Sequence, residues 1–375
     1  MSKQILTAAT TTPGEIKNMN SNRYKQIGTA LALALVLAQN TFAGLASPSG
    51  IAKITIPGGV GRTEFFGMPF ARPVERSGVI SSVSSTSGNA TFTVTLDNGQ
   101  SALPSLSNTD QNVDAWYLLE IIDGPAIGFL LPCTGNSGNT SITVTGDTGT
   151  ISVPNGTKFV IRKEWTLATL FGAASDANAF GYGTTISGAT IKGKVQVFNT
   201  LTGSLASYYV RQSGTATKAY NWAVSTSTSP RNHFPIRMGR GIIVVNNSAS
   251  DLSFVVAGEN RTARTRLSVP ANRTTFVANP GATDVTFETS TIPATSPTRT
   301  ASTPGNADSW KMWNATTRSF TTYKVGGTSN ADGPSMYQSS TRVNPTLPAF
   351  KAVAVVPYAP AGTYPNVVVT IAPNL

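Results

Sequence analysis

Side chains that could carry out chemistry are scarce in this chain of 375 residues, which has one histidine, one cysteine and 17 carboxylates. The histidine, His233, lies between Asn232 and Phe234, and no nucleophile motif surrounds it, so a histidine-based triad is not indicated. One histidine and one cysteine give no pair of zinc ligands, and no acidic loop matches a calcium site. We therefore expect no metal and no cofactor. Cys133 follows an apolar run, which favours a buried thiol.

The carboxylates leave one catalytic alternative open. A glycosidase needs only two carboxylates on facing strands. The candidates for such a pair are Glu120, Asp123, Glu164 and Glu259. Each has a structural alternative as a turn former, a strand-edge charge or an ion-pair partner. The sequence thus permits a carboxylate-dependent polysaccharide-degrading enzyme, but it identifies no catalytic residue.

Two groups of arginines contribute to a net charge of +11 at pH 7. The first comprises Arg261, Arg264, Arg266 and Arg273, and the second comprises Arg231, Arg237 and Arg240. If Arg264 and Arg266 lie on one strand, they share a face that could contact an anionic surface polysaccharide or lipid head groups. The alternative is a solvated strand whose charges prevent edge pairing. Nucleic acid is not expected as a partner, because no recognition helix or aromatic strip accompanies the arginines.

Trp310 and Trp313 are candidates for stacking on sugar rings. Residues three apart on a regular strand point to opposite faces, so the two indoles are not expected in one core. Surface exposure of either ring would favour carbohydrate binding. Burial of both would favour a role in the scaffold.

These tryptophans begin a stretch that occurs twice. Residues 310–325 repeat the pattern of residues 195–210 at a displacement of 115 (310 − 195), with five identical pairs and no gap. Each copy has two apolar-rich runs around a polar turn, which predicts a β-hairpin. A strand ending in proline, at Pro57 or Pro270, precedes each hairpin, and a late apolar strand follows it. The pattern predicts two related β-sandwich-like units.

The first unit is interrupted by an insertion. We assign residues 44–77 and 165–260 to the first β unit, residues 78–164 to the insertion, and residues 261–375 to the second β unit. The insertion contains six short strand-like runs separated by turns rich in Asn, Asp and Gly, which predicts a small β-barrel or sandwich. Thr166 as N-cap and Gly172 as stop predict one short helix near 166–171, closing an open end of a sheet. The fold class is therefore all-β.

The N-terminus is typical of a signal peptide over residues 1–43. Arg23 and Lys25 precede an uncharged run over 27–38, and small residues suit cleavage near Ala43. About 12 apolar residues are too few for a permanent transmembrane helix, although an anchor is the alternative interpretation. Met19 is a second candidate for the start of the chain. We expect a protein exported to the exterior or cell surface of a bacterium, or to its periplasm.

The motif VANPG, a hairpin with the pattern WNxxTxxFxxY, and a late apolar strand together resemble a β-sandwich module of bacterial secreted proteins. Residues 51–356 are similar to an uncharacterised family of bacterial secreted and cell-surface β-rich proteins built on that module in tandem. The resemblance implies a fold and secretion, and it carries over no activity or site residue. Two glycines depart from the pattern in the second copy, since Gly203 corresponds to Arg318 and Gly241 to Ala352. We expect a changed turn and a looser match there.

The favoured hypothesis is a secreted, non-enzymatic structural, adhesive or matrix protein of the bacterial envelope or exterior. Its partners would be surface polysaccharide or like subunits. The alternative is a protein that binds carbohydrate or an anionic polymer. The polysaccharide-degrading enzyme is the third and least favoured hypothesis.

Overall fold

The structure is a computed structural model that describes residues 49–86, 89–146, 148, 151–175, 177–187, 190–199, 204–214, 218–261, 263–270, 274–281, 283–286, 308–326, 335–339, 341–356 and 366–371. Strands dominate these residues and one short helix accompanies them, which confirms the predicted all-β fold. The predicted signal peptide lies outside the described residues. Within the described part of the chain, no helix is long and apolar enough to cross a membrane.

The first half contains a two-stranded ribbon packed on a five-stranded sheet. The first ribbon pairs β1 (Ser49–Ile56) with β15 (Leu252–Glu259) antiparallel. The first sheet has the order β12 (Ala219–Val224), β11 (Ser204–Ser213), β10 (Gly193–Asn199), β14 (Ile242–Asn246) and β2 (Arg62–Phe66). Alternate residues of the ribbon, including Ile54, Ile56 and Phe254, face inward and pack on the inner face of the sheet.

The second half has the same kind of arrangement. The second ribbon pairs β16 (Thr265–Pro270) with β25 (Asn366–Ile371). The second sheet has the order β17 (Thr275–Ala278), β24 (Ala352–Val356), β19 (Ser309–Asn314), β20 (Ser319–Gly326), β21 (Ser335–Gln338) and β22 (Thr341–Val343). Leu267 and Val369 of the ribbon pack with Trp310 and Val353 of the sheet.

Both predicted hairpins form, and they pair in the same register. Val195 lies opposite Tyr208 in the first hairpin, and Trp310 lies opposite Tyr323 in the second. Arg318, in the turn of the second hairpin, has a φ of 53°, a left-handed conformation that usually favours glycine. Its counterpart Gly203 lies outside the described residues.

The insertion is a closed barrel, and its first strand starts at Val74, four residues before the predicted boundary at 78 (78 − 74). Its strand order is β3 (Val74–Thr86), β4 (Asn89–Leu96), β7 (Ser141–Thr145), β6 (Leu130–Ser137), β5 (Tyr117–Ile121) and β8 (Thr157–Lys163). Phe92, Phe129 and Phe159 are fully buried inside it. β6 starts at Leu130, because Gly124 and Gly128, with φ of 66° and 92°, form a turn before it.

The short helix α1 (Leu167–Phe171) confirms the predicted one. Thr166 caps its N-terminus in a capping box with Thr169, and Gly172, with a φ of 90°, ends it. Leu167, Leu170 and Phe171 are buried in the first core. The helix therefore fills the end of the space between the first ribbon and the first sheet.

Two further two-stranded sheets accompany these layers. β9 (Trp165–Thr166) pairs with β13 (Pro235–Ile236), and β18 (Val285–Thr286) pairs with β23 (Thr346–Leu347). The outer faces of the two sheets meet through a separate apolar cluster, comprising Phe65, Ile243, Val245, Phe276, Ala278, Ala352 and Ala354. The four β layers are therefore, in order, the first ribbon, the first sheet, the second sheet and the second ribbon. The barrel packs against the second ribbon through Val368 and Phe129.

Candidate functional site

Arg261, which the sequence analysis grouped with possible surface arginines, lies in the interior. Arg261 is 8 % exposed, and its Nη1 donates to Glu120 Oε1. Arg162 Nε donates to the other oxygen of Glu120 at 2.9 Å, and Arg162 Nη1 donates to Glu259 Oε2. These four residues, Glu120, Arg162, Glu259 and Arg261, form what we call the junction network. The structure thus corrects the prediction that Arg261 contacts a surface polysaccharide, since both its charge and its donors are directed inward.

The barrel strands place two members of this network. In β5, Leu119 and Ile121 point into the barrel core, so Glu120 points out of it by strand alternation. Arg162 lies on the neighbouring strand β8, where it pairs with Leu118. Glu259 ends β15 and Arg261 follows it by two residues, so the network joins the barrel, the first ribbon and the chain that enters the second ribbon.

A second set of ion pairs borders the same junction. Arg72 Nη1 lies 2.9 Å from Asp114 Oδ1, and Arg72 also lies 5.7 Å over the ring of Trp165. Glu164, which follows β8, is 3 % exposed and lies 3.5 Å from Arg237 Nη1. Burial raises the pKa of Glu164, and the opposing charges of Arg237 and Arg240 only partly offset that rise.

Arg240 belongs to the same interior region. Its Nη2 donates to Ser268 O at 2.8 Å, and burial lowers the pKa of Arg240 to about 10. Burial also raises the pKa of the Cys133 thiol, which lies in the barrel core. A thiol with a raised pKa is a poor nucleophile, so Cys133 packs as a small apolar residue.

The four candidate carboxylates are therefore engaged in structure. Glu120 and Glu259 share Arg162, and Glu164 is too deeply buried for a polysaccharide to reach it. Asp123 accepts a hydrogen bond from Lys158 N at 2.6 Å, the role of a turn former.

The other arginines of the predicted group have different surroundings. Arg264 is exposed and precedes β16 by one residue. Arg266 is half-buried: its guanidinium lies 5.8 Å over the ring of Phe129, and its Nη1 donates to Pro125 O. Burial, and secondarily the charge of Arg264, lowers the pKa of Arg266. Arg273 lies outside the described residues, so Arg264 is the one exposed arginine among the three that are described.

The two predicted tryptophans point to opposite faces, as strand alternation predicts. Trp310 is 1 % exposed and belongs to the second core. Trp313 is half-buried on the other face, where its Nε1 donates to Thr63 O at 2.9 Å. Its ring centroid lies 5.2 Å from those of Phe65 and Phe320. Trp310 is thus inaccessible to sugar, and Trp313 holds the two sheets together.

The remaining candidates have structural contacts as well. His233 Nδ1 lies 3.1 Å from Thr166 Oγ1, the residue that caps the helix, and His233 N donates to Gln111 O at 2.7 Å. Among the described residues, no group of three or more His, Cys, Asp and Glu side chains could hold a metal ion.

Arg162 is the central residue that the sequence did not single out. A signal for it exists: Glu120 and Arg162 each interrupt an apolar strand of the barrel, YLLEI and FVIRK. Charged residues are rarely buried unless they are paired, so two such interruptions indicate a buried ion pair.

No protein-family model matches this sequence, and no curated protein matches it.

Proposed function

We propose that this protein is a secreted, non-enzymatic structural component of the bacterial envelope or exterior, with an adhesive or matrix role. The observation that carries the proposal is the junction network. Two of the four candidate carboxylates, Glu120 and Glu259, are paired with arginines where the barrel meets the first ribbon. We take these pairs to fix how the barrel and the first ribbon are arranged, which is the role that a scaffold requires.

Fractionation of the producing cells tests the location. We expect the protein in the medium or on intact cells, where added protease removes it without lysis. Recovery of the protein exclusively from the cytoplasm would contradict secretion. A deletion strain should also lose attachment or envelope integrity, and complementation with the full chain should restore it.

A hydrolysis assay separates the scaffold from the enzyme. The purified full chain should release no reducing ends from a panel of polysaccharides. Release that Glu164→Gln abolishes, while the exposed Glu75→Gln does not, would contradict the proposal and favour the carboxylate-dependent enzyme. Glu75 is a suitable control because its side chain is exposed, whereas that of Glu164 is buried.

Binding of an anionic polysaccharide is the second candidate, favoured by the exposed guanidinium of Arg264. Retention on a heparin column as salt is raised tests it. Elution of wild type at markedly higher salt than Arg264→Gln would support this function. Elution of both near the start of the gradient would exclude it.

A further inference from the structure

The residues at the contact between the two sheets can be aligned between the first and the second half of the chain. Phe65 lies four residues before Pro69 in the first half, and Phe276 lies four residues before Pro280 in the second. By the same alignment, Gly67 corresponds to Ala278. The late strands align Gly241 with Ala352, and the hairpins align Phe198 with Trp313.

Backbone contacts between the halves are reciprocal under this correspondence. Gly67 N donates to Phe350 O at 2.9 Å, and Ala278 N donates to Gly239 O at 2.9 Å. Gly239 and Phe350 occupy equivalent positions, two residues before Gly241 and Ala352, and both have positive φ, 75° and 60°. Each half therefore donates one backbone hydrogen bond to the other half and accepts the equivalent one.

The bridging residues and aromatic rings show the same reciprocity. Phe66 forms a bridge with Lys351, and Val277 forms the equivalent bridge with Arg240. The ring of Trp313 lies 5.2 Å from Phe65, and the ring of its counterpart Phe198 lies 5.2 Å from Phe276.

At the centre of the interface, residues meet their own counterparts. The rings of Phe65 and Phe276 are 5.4 Å apart. A Cβ on Gly67 would lie 2.0 Å from the Cβ of Ala278, and a Cβ on Gly241 would lie 2.5 Å from the Cβ of Ala352. Only one member of each pair has room for a methyl group.

A residue that meets its own counterpart marks the axis of a two-fold contact. We infer that the two halves pack about a pseudo-two-fold axis, so that the surface of the first sheet fits a second module of its own kind. The chain is thus a covalently linked version of a symmetric dimer. The difference between Gly241 and Ala352 is then a requirement of the axis and not a looser match to the repeated pattern.

Exchange of residues across the axis tests this inference. Gly67→Ala alone should lower the equilibrium constant for folding at least about tenfold, measured by urea denaturation of the full chain, because two methyl groups collide. Gly67→Ala combined with Ala278→Gly moves the methyl group to the equivalent position across the axis. In a two-fold interface this matched double variant regains most of the loss.

A mismatched exchange provides the control. Gly67→Ala combined with Ala352→Gly removes a methyl group that faces Gly241, so it should not relieve the collision. Equal stability of the matched and mismatched variants would overturn the inference, as would a matched variant no more stable than Gly67→Ala. If Gly67→Ala yields no folded protein, recovery of folded protein in the matched variant alone gives the same support. None of these outcomes depends on where the protein is located, so the proposed function is tested separately.

Discussion

The two ribbons have the same strand pairing but different surroundings. On the first ribbon, Ile51 and Val255 point outward and are 55 % and 60 % exposed. On the second ribbon, Val368 packs on the barrel core and Thr370 is 6 % exposed. Among the described residues, the barrel covers the outer face of the second ribbon, whereas the outer face of the first ribbon is exposed.

The comparison extends to a pair of basic residues. Lys53 lies four residues before Pro57 and Arg266 lies four before Pro270, each on the outward face of its ribbon. Lys53 is exposed, whereas Arg266 is held against Phe129 and Pro125 of the barrel. The same position is thus a solvated charge in one half and a packing contact in the other.

The largest expected effect comes from breaking the junction network, which attaches the barrel to the end of the first ribbon. Arg162→Met leaves Glu120 and Glu259 without the cation between them. Removal of one partner of a buried ion pair costs about 3–5 kcal/mol, so we expect a loss of that size in the free energy of unfolding. Urea denaturation followed by tryptophan fluorescence measures it.

Lys351→Met is the control for this variant. Lys351 pairs with Glu64 at 2.6 Å, and its own side chain is 45 % exposed while that of Glu64 is 16 % exposed, so the cation of this pair remains in contact with solvent. Exposed pairs contribute about 0–1 kcal/mol, so a small loss is expected. Similar losses for the two variants would mean that the junction network stabilises the fold no more than a surface pair does.

A smaller effect is expected where the barrel meets the second ribbon. Gly128 has a φ of +92°, and a Cβ there would lie 2.0 Å from Arg264 O. Gly128→Ala should therefore cost about 2–3 kcal/mol, from backbone strain and from displacement of the barrel. Gly135→Ala on β6 is the matched control, because an added Cβ meets nothing within 4 Å there. A stability unchanged by Gly128→Ala would show that the barrel does not depend on this close approach.

Local patterns were sufficient to predict most of the elements. Alternating apolar residues and Asn-Gly or Asp-Gly turns predicted the barrel strands, and Thr166 with Gly172 predicted the helix, because these signals act over a few residues. The opposite orientations of Trp310 and Trp313 followed from strand geometry alone. What each residue packs against was not predictable in this way.

The arginines illustrate that limit. Arg261, Arg264 and Arg266 are close in sequence and were grouped as one surface, yet they are buried, exposed and half-buried in turn. Their surroundings depend on how the barrel lies on the second ribbon, a contact between residues more than a hundred positions apart, such as Arg261 and Glu120. No periodicity within the segment specifies that contact.

The smallest expected effect compares the two basic residues on the ribbons. Arg266→Ala removes the stacking on Phe129 and leaves Pro125 O without its donor, so we expect a loss of about 1–2 kcal/mol in the free energy of unfolding. Lys53→Ala, at the equivalent position on the open ribbon, should change it by no more than about 0.5 kcal/mol. Urea denaturation of both variants under one set of conditions measures the difference. Because the two positions have the same place in their ribbons, a difference between them is attributable to the barrel, and equal losses would mean that its cover adds nothing at Arg266.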